Sequence, residues 1–173
     1  MEVVMQDSVR KQRAIVLAVI LLAPLAYLFL FHDAIPQTKG YHAFADARTC
    51  LGIRNFGNVM SNLAFLLVGL AGMWWCARRQ TTGARMAWLV FFSGVALTCV
   101  GSSYYHWRPD DDRLVWDRLP MTLAFVGLFA AMLSEHIDAK LEYAVLWPGL
   151  IIGIGSVLWW RYSDDLQIGR AHV

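Results

Sequence analysis

Charge is scarce in this chain: only 16% of its 173 residues are charged, whereas 58% are hydrophobic. A soluble domain of this size has about a quarter charged residues, so this composition argues against one. The net charge is only +2, and the absence of a basic tract argues against nucleic acid as a partner. The three cysteines have no CxxC spacing, and we interpret Cys76 and Cys99, which lie in apolar runs, as buried structural thiols.

The apolar residues are gathered into long runs, which predicts an all-α protein, a polytopic bundle of transmembrane helices. Five membrane helices are predicted, at residues 14–31, 56–77, 84–107, 114–133 and 143–160. The first follows a basic N-terminal segment, residues 1–13, and we interpret it as an additional, uncleaved helix instead of a secretory signal.

Basic residues near the short loops predict the orientation of the bundle. Those in the N-terminal segment and between the second and third helices are Arg10, Lys11, Arg13, Arg78, Arg79 and Arg85. Because such residues accumulate on the cytoplasmic side, the N-terminus is predicted to be cytoplasmic. The loop at residues 32–55 then falls on the same, non-cytoplasmic side as His106 and Asp117, so Asp46 and Asn55 are able to meet them.

Three residues that can perform chemistry lie at the ends of the third and fourth predicted helices. Ser102 and His106 are four residues apart and share one helical face, and Asp117 follows at the entrance of the next apolar run. Ionisable groups are costly at membrane depth, which favours a functional site. Simpler interpretations stay open: an interfacial His106, Asp117 as a helix N-cap with Pro120 in the first turn, and Ser102 bonded to a carbonyl one turn earlier.

The spacing Ser-x3-His-x10-Asp-x-Leu-Pro-Met, from Ser102 to Met121, resembles the alkaline ceramidase family. That family belongs to a wider superfamily of seven-helix membrane hydrolases that includes the adiponectin and progestin receptors. A second stretch, Asn58-Val-Met-Ser-Asn62, resembles the Asn-x-x-Ser-Asn signature of the family's first conserved helix.

The resemblance, which runs from Asp46 to about Asp138, implies a zinc-dependent membrane amidohydrolase. Its substrate would be a ceramide-like lipid of the bilayer, cleaved at the amide into a fatty acid and a sphingoid-type amine. By resemblance, His106 is a zinc ligand and Asp117 is the catalytic acid/base that acts on the metal-bound water. Ser102 is then a catalytic hydrogen-bonding group that stabilises the oxyanion or the bound water.

The family's second histidine pair, His-x3-His on its last helix, is absent from this sequence, where His32, His42 and His136 stand alone. Because zinc hydrolases usually use three protein ligands, two further histidines are expected from missing C-terminal sequence, and this fragment is expected to be inactive. Residues 168–173 match the translation of a common sequencing adapter and are interpreted as a non-native tail. Residues 32–167 are then a partial ceramidase-like domain of a protein with seven or more helices.

A calcium site, which some members of the family carry, is not expected here. The stretch before the Asn-x-x-Ser-Asn helix has a single acidic residue, Asp46, accompanied by Arg48 and Arg54, whereas calcium sites commonly use several carboxylates. Two alternatives to a hydrolase remain: a non-catalytic receptor-like or assembly protein of the same fold, and a transporter that uses Asp117 as a proton relay. Inverted repeats would favour the transporter, and none is evident in the sequence.

Several other polar residues receive structural interpretations. Asn58, Ser61 and Asn62 are expected to form hydrogen bonds between helices. The three aspartates at residues 110–112 are interpreted as a solvated loop. The polar stretch at residues 134–142 is expected to lie beyond the fourth helix, on the side opposite the candidate site.

Overall fold

The computed structural model describes residues 40–78 and 83–171, with the backbone alone for residues 163–171. It also describes scattered positions nearer the N-terminus, namely residues 12, 15, 16, 19, 20, 22–24, 26, 27, 30 and 31. Apart from one isolated bridge between Cys50 and Ile53, the regular structure of the described residues is helical. The all-α prediction is confirmed for that part of the chain.

From residue 40 onward, the described part of the chain contains five helices: α1 (Phe56–Ser61), α2 (Leu63–Arg78), α3 (Arg85–Trp107), α4 (Asp111–His136) and α5 (Leu141–Ala171). Four helical segments are long and apolar enough to cross a membrane: α1 with α2 as one span, α3, α4, and the Leu141–Tyr162 part of α5. They are compatible with an integral, multi-pass membrane protein.

The chain divides into two compact units, residues 1–41 and 42–173. In the first unit, the described positions from 12 to 31 are helical. Apart from residue 12, the predicted basic segment lies outside the described residues, as do seven positions of the predicted first membrane helix, residues 14, 17, 18, 21, 25, 28 and 29. The second unit contains α1 to α5.

Helix α4 begins one turn earlier than the sequence predicts, at Asp111 instead of residue 114. Asp110 is its N-cap, and this carboxylate accepts a hydrogen bond of 2.8 Å from the backbone N–H of Arg113. Asp111 and Asp112 occupy the first turn, where acidic side chains interact favourably with the helix dipole. The interpretation of these three aspartates as a solvated loop is therefore wrong.

This earlier start places Asp117 and Pro120 inside α4, so their interpretation as an N-cap and a first-turn residue is wrong. Pro120 has no backbone N–H, and the carbonyl of Trp116 therefore lacks its usual donor four residues later. Gly101 of α3 lies against that carbonyl, because a Cβ added to the glycine would overlap the Trp116 oxygen. The carbonyl without a helical donor and the glycine without a side chain therefore face each other at a close contact between α3 and α4, next to Ser102.

A further difference lies within the predicted second helix. The predicted second helix is divided at Asn62, whose backbone N–H bonds to the carbonyl of Val59, three residues back, at 3.3 Å. The Asn62 side chain donates to Ser103 Oγ of α3 at 3.5 Å, which confirms its predicted interhelical bond. Ser61 instead donates to the carbonyl of Asn58 at 3.0 Å, so the interhelical prediction is wrong for Ser61.

Helices α4 and α5 each end later than predicted, at His136 and Ala171. Where α4 ends and α5 begins, at the end of the bundle opposite the candidate site, Glu142, which is 7% exposed, accepts a hydrogen bond of 3.0 Å from the backbone N–H of Ala87. Ala87 lies in the first turn of α3, whose N–H groups have no partner within the helix. The carboxylate of Glu142 therefore fastens α5 to the start of α3.

Small residues set the close packing of the central helix, α3. It packs on α2 where Gly69 meets Ala96, and on α4 where Gly94 meets Ala124. Small residues at such crossings let backbones approach closely, as is common between membrane helices. The cysteines of α2 and α3 are buried, as the sequence predicts.

Candidate functional site

A cavity of about 430 Å³ lies between α2, α3 and α4, and all three predicted site residues line it. These are Ser102 and His106 on α3 and Asp117 on α4. The other polar lining residues are Asn62 and Thr98. The apolar lining residues are Phe65, Phe91, Val95, Met121, Ala124, Phe125 and Leu128. The cavity therefore combines a few polar groups with a largely apolar wall.

Ser102 is 6% exposed, and none of the described residues forms a hydrogen bond with its hydroxyl. The residue of this face that bonds back to a carbonyl one turn earlier is Thr98, whose hydroxyl donates to Gly94 at 2.9 Å. The interpretation of Ser102 as a back-bonded serine is therefore wrong. Its hydroxyl is available to a molecule in the cavity.

Residues that do not line the cavity hold His106 in place, whereas one of its ring nitrogens lacks a hydrogen-bond partner among the described residues. Its Nδ1 is buried and has no hydrogen-bond partner within the described part of the chain. Asn55 Nδ2 donates to its backbone carbonyl at 2.7 Å, and the ring of Phe44 packs on the imidazole with centroids 4.6 Å apart. An unsatisfied buried polar atom costs about 1–3 kcal/mol, so Nδ1 is a natural contact for a bound ligand.

Asp117 is half-buried in the second turn of α4 and lines the same cavity as His106. The nearby arginines of α4 are engaged elsewhere: Arg113 pairs with the N-cap Asp110, and Arg118 lies 3.7 Å over the ring of Trp160. Among the described residues, Asp117 has no ion pair. The carboxylate is therefore left to face the cavity.

Two residues that support the site, His42 and Phe44, were not predicted from the sequence. His42, treated above as a single dispersed histidine, contacts the Tyr105 hydroxyl through Nδ1 and the Asp111 carboxylate through Nε2, both at 3.0 Å. Phe44 then packs on both Tyr105 and His106. The signal available in the sequence was the alternation of His42, Phe44 and Asp46 with single alanines. In the structure residues 42, 44 and 46 are half-buried and residues 43 and 45 are exposed.

Asp46, the third residue of this alternation, holds the start of α1. Its carboxylate accepts a hydrogen bond of 2.6 Å from the backbone N–H of Gly57 and one of 2.7 Å from Arg48 Nε. The hydrogen bond from the Arg48 side chain, assisted by the backbone N–H groups of Gly57 and Arg48, lowers the pKa of Asp46 below its ordinary value of 3.8.

We expect the first turn of α1 to loosen only in strong acid. Because folding lowers the pKa of Asp46, its stabilising effect is complete above the ordinary pKa and is lost as the pH falls through the lower, folded value. The hydrogen-exchange protection of the Gly57 amide, corrected for the intrinsic rate, should therefore fall as the pH is lowered from about 4 into strong acid. Asp46→Asn is the control, since its protection should not vary with pH; equal protection of the natural chain at both ends would contradict this assignment.

The donor set at the cavity fits part of a zinc site and does not complete one. His106 supplies an imidazole and Asp117 a carboxylate, whereas zinc hydrolases usually have three protein ligands. The described ranges contain no group of three or more His, Cys, Asp or Glu residues placed to hold a metal ion.

Comparison with known protein families, with curated proteins and with solved structures finds no significant match to this chain. The cavity and the motifs that line it are therefore the basis for assigning a function.

Proposed function

We propose that this chain belongs to a zinc-dependent membrane amidohydrolase that cleaves ceramide-like lipids, at the amide bond, into a fatty acid and a sphingoid-type amine. One observation carries the proposal. Ser102, His106 and Asp117, which form the ceramidase-like spacing in the sequence, line a single cavity among helices long enough to span a membrane. The hydroxyl of Ser102 and Nδ1 of His106 have no partner among the described residues, so both can act on a ligand.

The cavity wall supports a lipid substrate. Its volume, about 430 Å³, lies within the usual range of small-molecule sites, and most of its wall is apolar, which suits an acyl chain. Phe125 also lines a second, apolar cavity of about 450 Å³ between α4 and α5, together with Phe129 and Ile152. Phe125 thus has a largely apolar cavity on each side, which favours a substrate with hydrocarbon chains that enters from the bilayer.

Each of the three polar residues has a role that amide hydrolysis requires. Asp117 takes the proton from the attacking water and returns it to the leaving nitrogen, because an amine is a poor leaving group. The Ser102 hydroxyl donates to the oxygen that becomes negative during the attack. His106 would be a zinc ligand, and a zinc ion held there would supply an activated water at neutral pH. A complete ligand set requires two further imidazoles from outside the described residues.

We also propose the placement of this protein in the membrane. The predicted helix at residues 14–31 precedes the four apolar spans, and basic residues place the N-terminus in the cytoplasm. The His106 end of the bundle then faces the non-cytoplasmic side, where water reaches the site.

The test is fatty-acid release from a ceramide by the complete natural protein in liposomes. His106→Ala is expected to lower both the zinc content and fatty-acid release. Release should fall by more than about 100-fold, because losing a metal ligand costs more than losing a residue that only hydrogen-bonds to a ligand. His136→Ala, at the far end of α4, is the matched control. A zinc-replete, active His106→Ala protein would refute the metal assignment; binding of the lipid without release by the natural protein would favour the receptor-like alternative.

A further inference from the structure

Residues 42–55 lie against the end of α3 that carries His106, and two of them hold His106 directly. Phe44 packs on its ring and Asn55 donates to its backbone carbonyl. Phe44 does not line the cavity, so it supports the imidazole from behind. The position of the His106 ring therefore depends on the position of this segment.

The segment is fastened by His42, two residues before Phe44. The Tyr105 hydroxyl and the Asp111 carboxylate lie at 3.0 Å from the two ring nitrogens of His42. All three groups are satisfied when Tyr105 donates to Nδ1 and the Nε2–H donates to Asp111. Tyr105 is only 3% exposed, so the loss of a partner for its hydroxyl would be costly.

We propose that His42, held between Tyr105 and Asp111, is a positioning residue for His106. It fixes a segment in which alternate residues, 42, 44 and 46, are half-buried, so that Phe44, two residues after His42, packs against the His106 ring. Three separate parts of the chain, the loop, α3 and the first turn of α4, are thereby joined beside the site. The functional value of this arrangement rests on the proposed role of His106, whereas the positioning itself can be measured without turnover.

The experiment uses the full chain in nanodiscs with ¹³C-labelled histidine, and the ring signals of His106 are assigned by their loss in His106→Gln. Tyr105→Phe removes one hydroxyl and keeps the ring that packs on Phe44, and His42→Ala removes both bonds. We expect a single narrow His106 signal in the natural chain, and shifted, broadened or multiple signals in both variants. Hydrogen exchange in residues 42–55 should rise roughly fivefold in Tyr105→Phe, the effect of one net hydrogen bond.

The matched control is Asp112→Asn, which removes the neighbouring carboxylate, paired with Arg161 instead of His42. Its His106 signal should equal that of the natural chain. An unchanged His106 signal in Tyr105→Phe, with or without faster exchange, would overturn the proposal. If His42→Ala does not fold, Tyr105→Phe decides alone. If the His106 signals change as expected but no fatty acid is released, the result would count against the proposed hydrolase and in favour of the positioning role.

Discussion

Fatty-acid release is expected to fall by roughly 100- to 10,000-fold when Asp117 is replaced by asparagine in the complete natural protein. Asparagine has nearly the same shape but cannot take a proton from water or return it to the leaving amine. Asp117 is half-buried and has no ion pair among the described residues, so the substitution removes no structural bond of that kind. Release, zinc content and bound lipid are to be measured on the same preparation, and the last two should be retained.

The matched control for this substitution is again Asp112→Asn, on the same helix but paired with Arg161 and largely exposed. It should leave release unchanged. Full turnover by Asp117→Asn would contradict the acid/base role. Loss of zinc together with release would instead make Asp117 a metal ligand, a different role for the same carboxylate.

Helices were predictable from this sequence where an apolar run was long and uninterrupted. The prediction for α3, residues 84–107, agrees with Arg85–Trp107 because polar residues flank the run at both ends. The start of α4 was not predictable from hydropathy, because its first turn is acidic. The capping hydrogen bond from the backbone N–H of Arg113 to the Asp110 carboxylate shows that the helix begins there.

The candidate site was predictable to the extent that it follows local geometry. Ser102 and His106 share a face because helical residues four apart do so, whatever the rest of the fold. That Asp117 lines the same cavity depends on how α3 packs against α4, and the motif resemblance was the only guide to it. The contacts of His42 were not predictable, because its partners, Tyr105 and Asp111, are 63 and 69 residues away in the sequence and no periodic pattern links residues so distant.

The packing that brings Ser102 and Asp117 together depends on the absence of a side chain at Gly101. A Cβ at this position would overlap the Trp116 oxygen and lie 2.8 Å from the carbonyl carbon. This neighbour is backbone, and it cannot rotate away as a flexible side chain can. The Trp116 carbonyl is also the one that Pro120 leaves without a helical N–H donor, so a close Cα–H contact from Gly101 is favourable there.

Gly101→Ala is therefore expected to force α3 and α4 apart and to destabilise the bundle by about 1–3 kcal/mol, as overpacking does elsewhere. The midpoint of thermal unfolding in detergent should fall by about 3–10 °C. Gly155→Ala on α5 is the matched control, since nothing lies within 4 Å of its added Cβ, and alanine there should preserve or raise stability through its higher helix propensity. A Gly101→Ala protein as stable as the Gly155→Ala protein would mean that the backbones of α3 and α4 do not meet at this glycine, and the shared cavity of Ser102 and Asp117 would lose its structural basis.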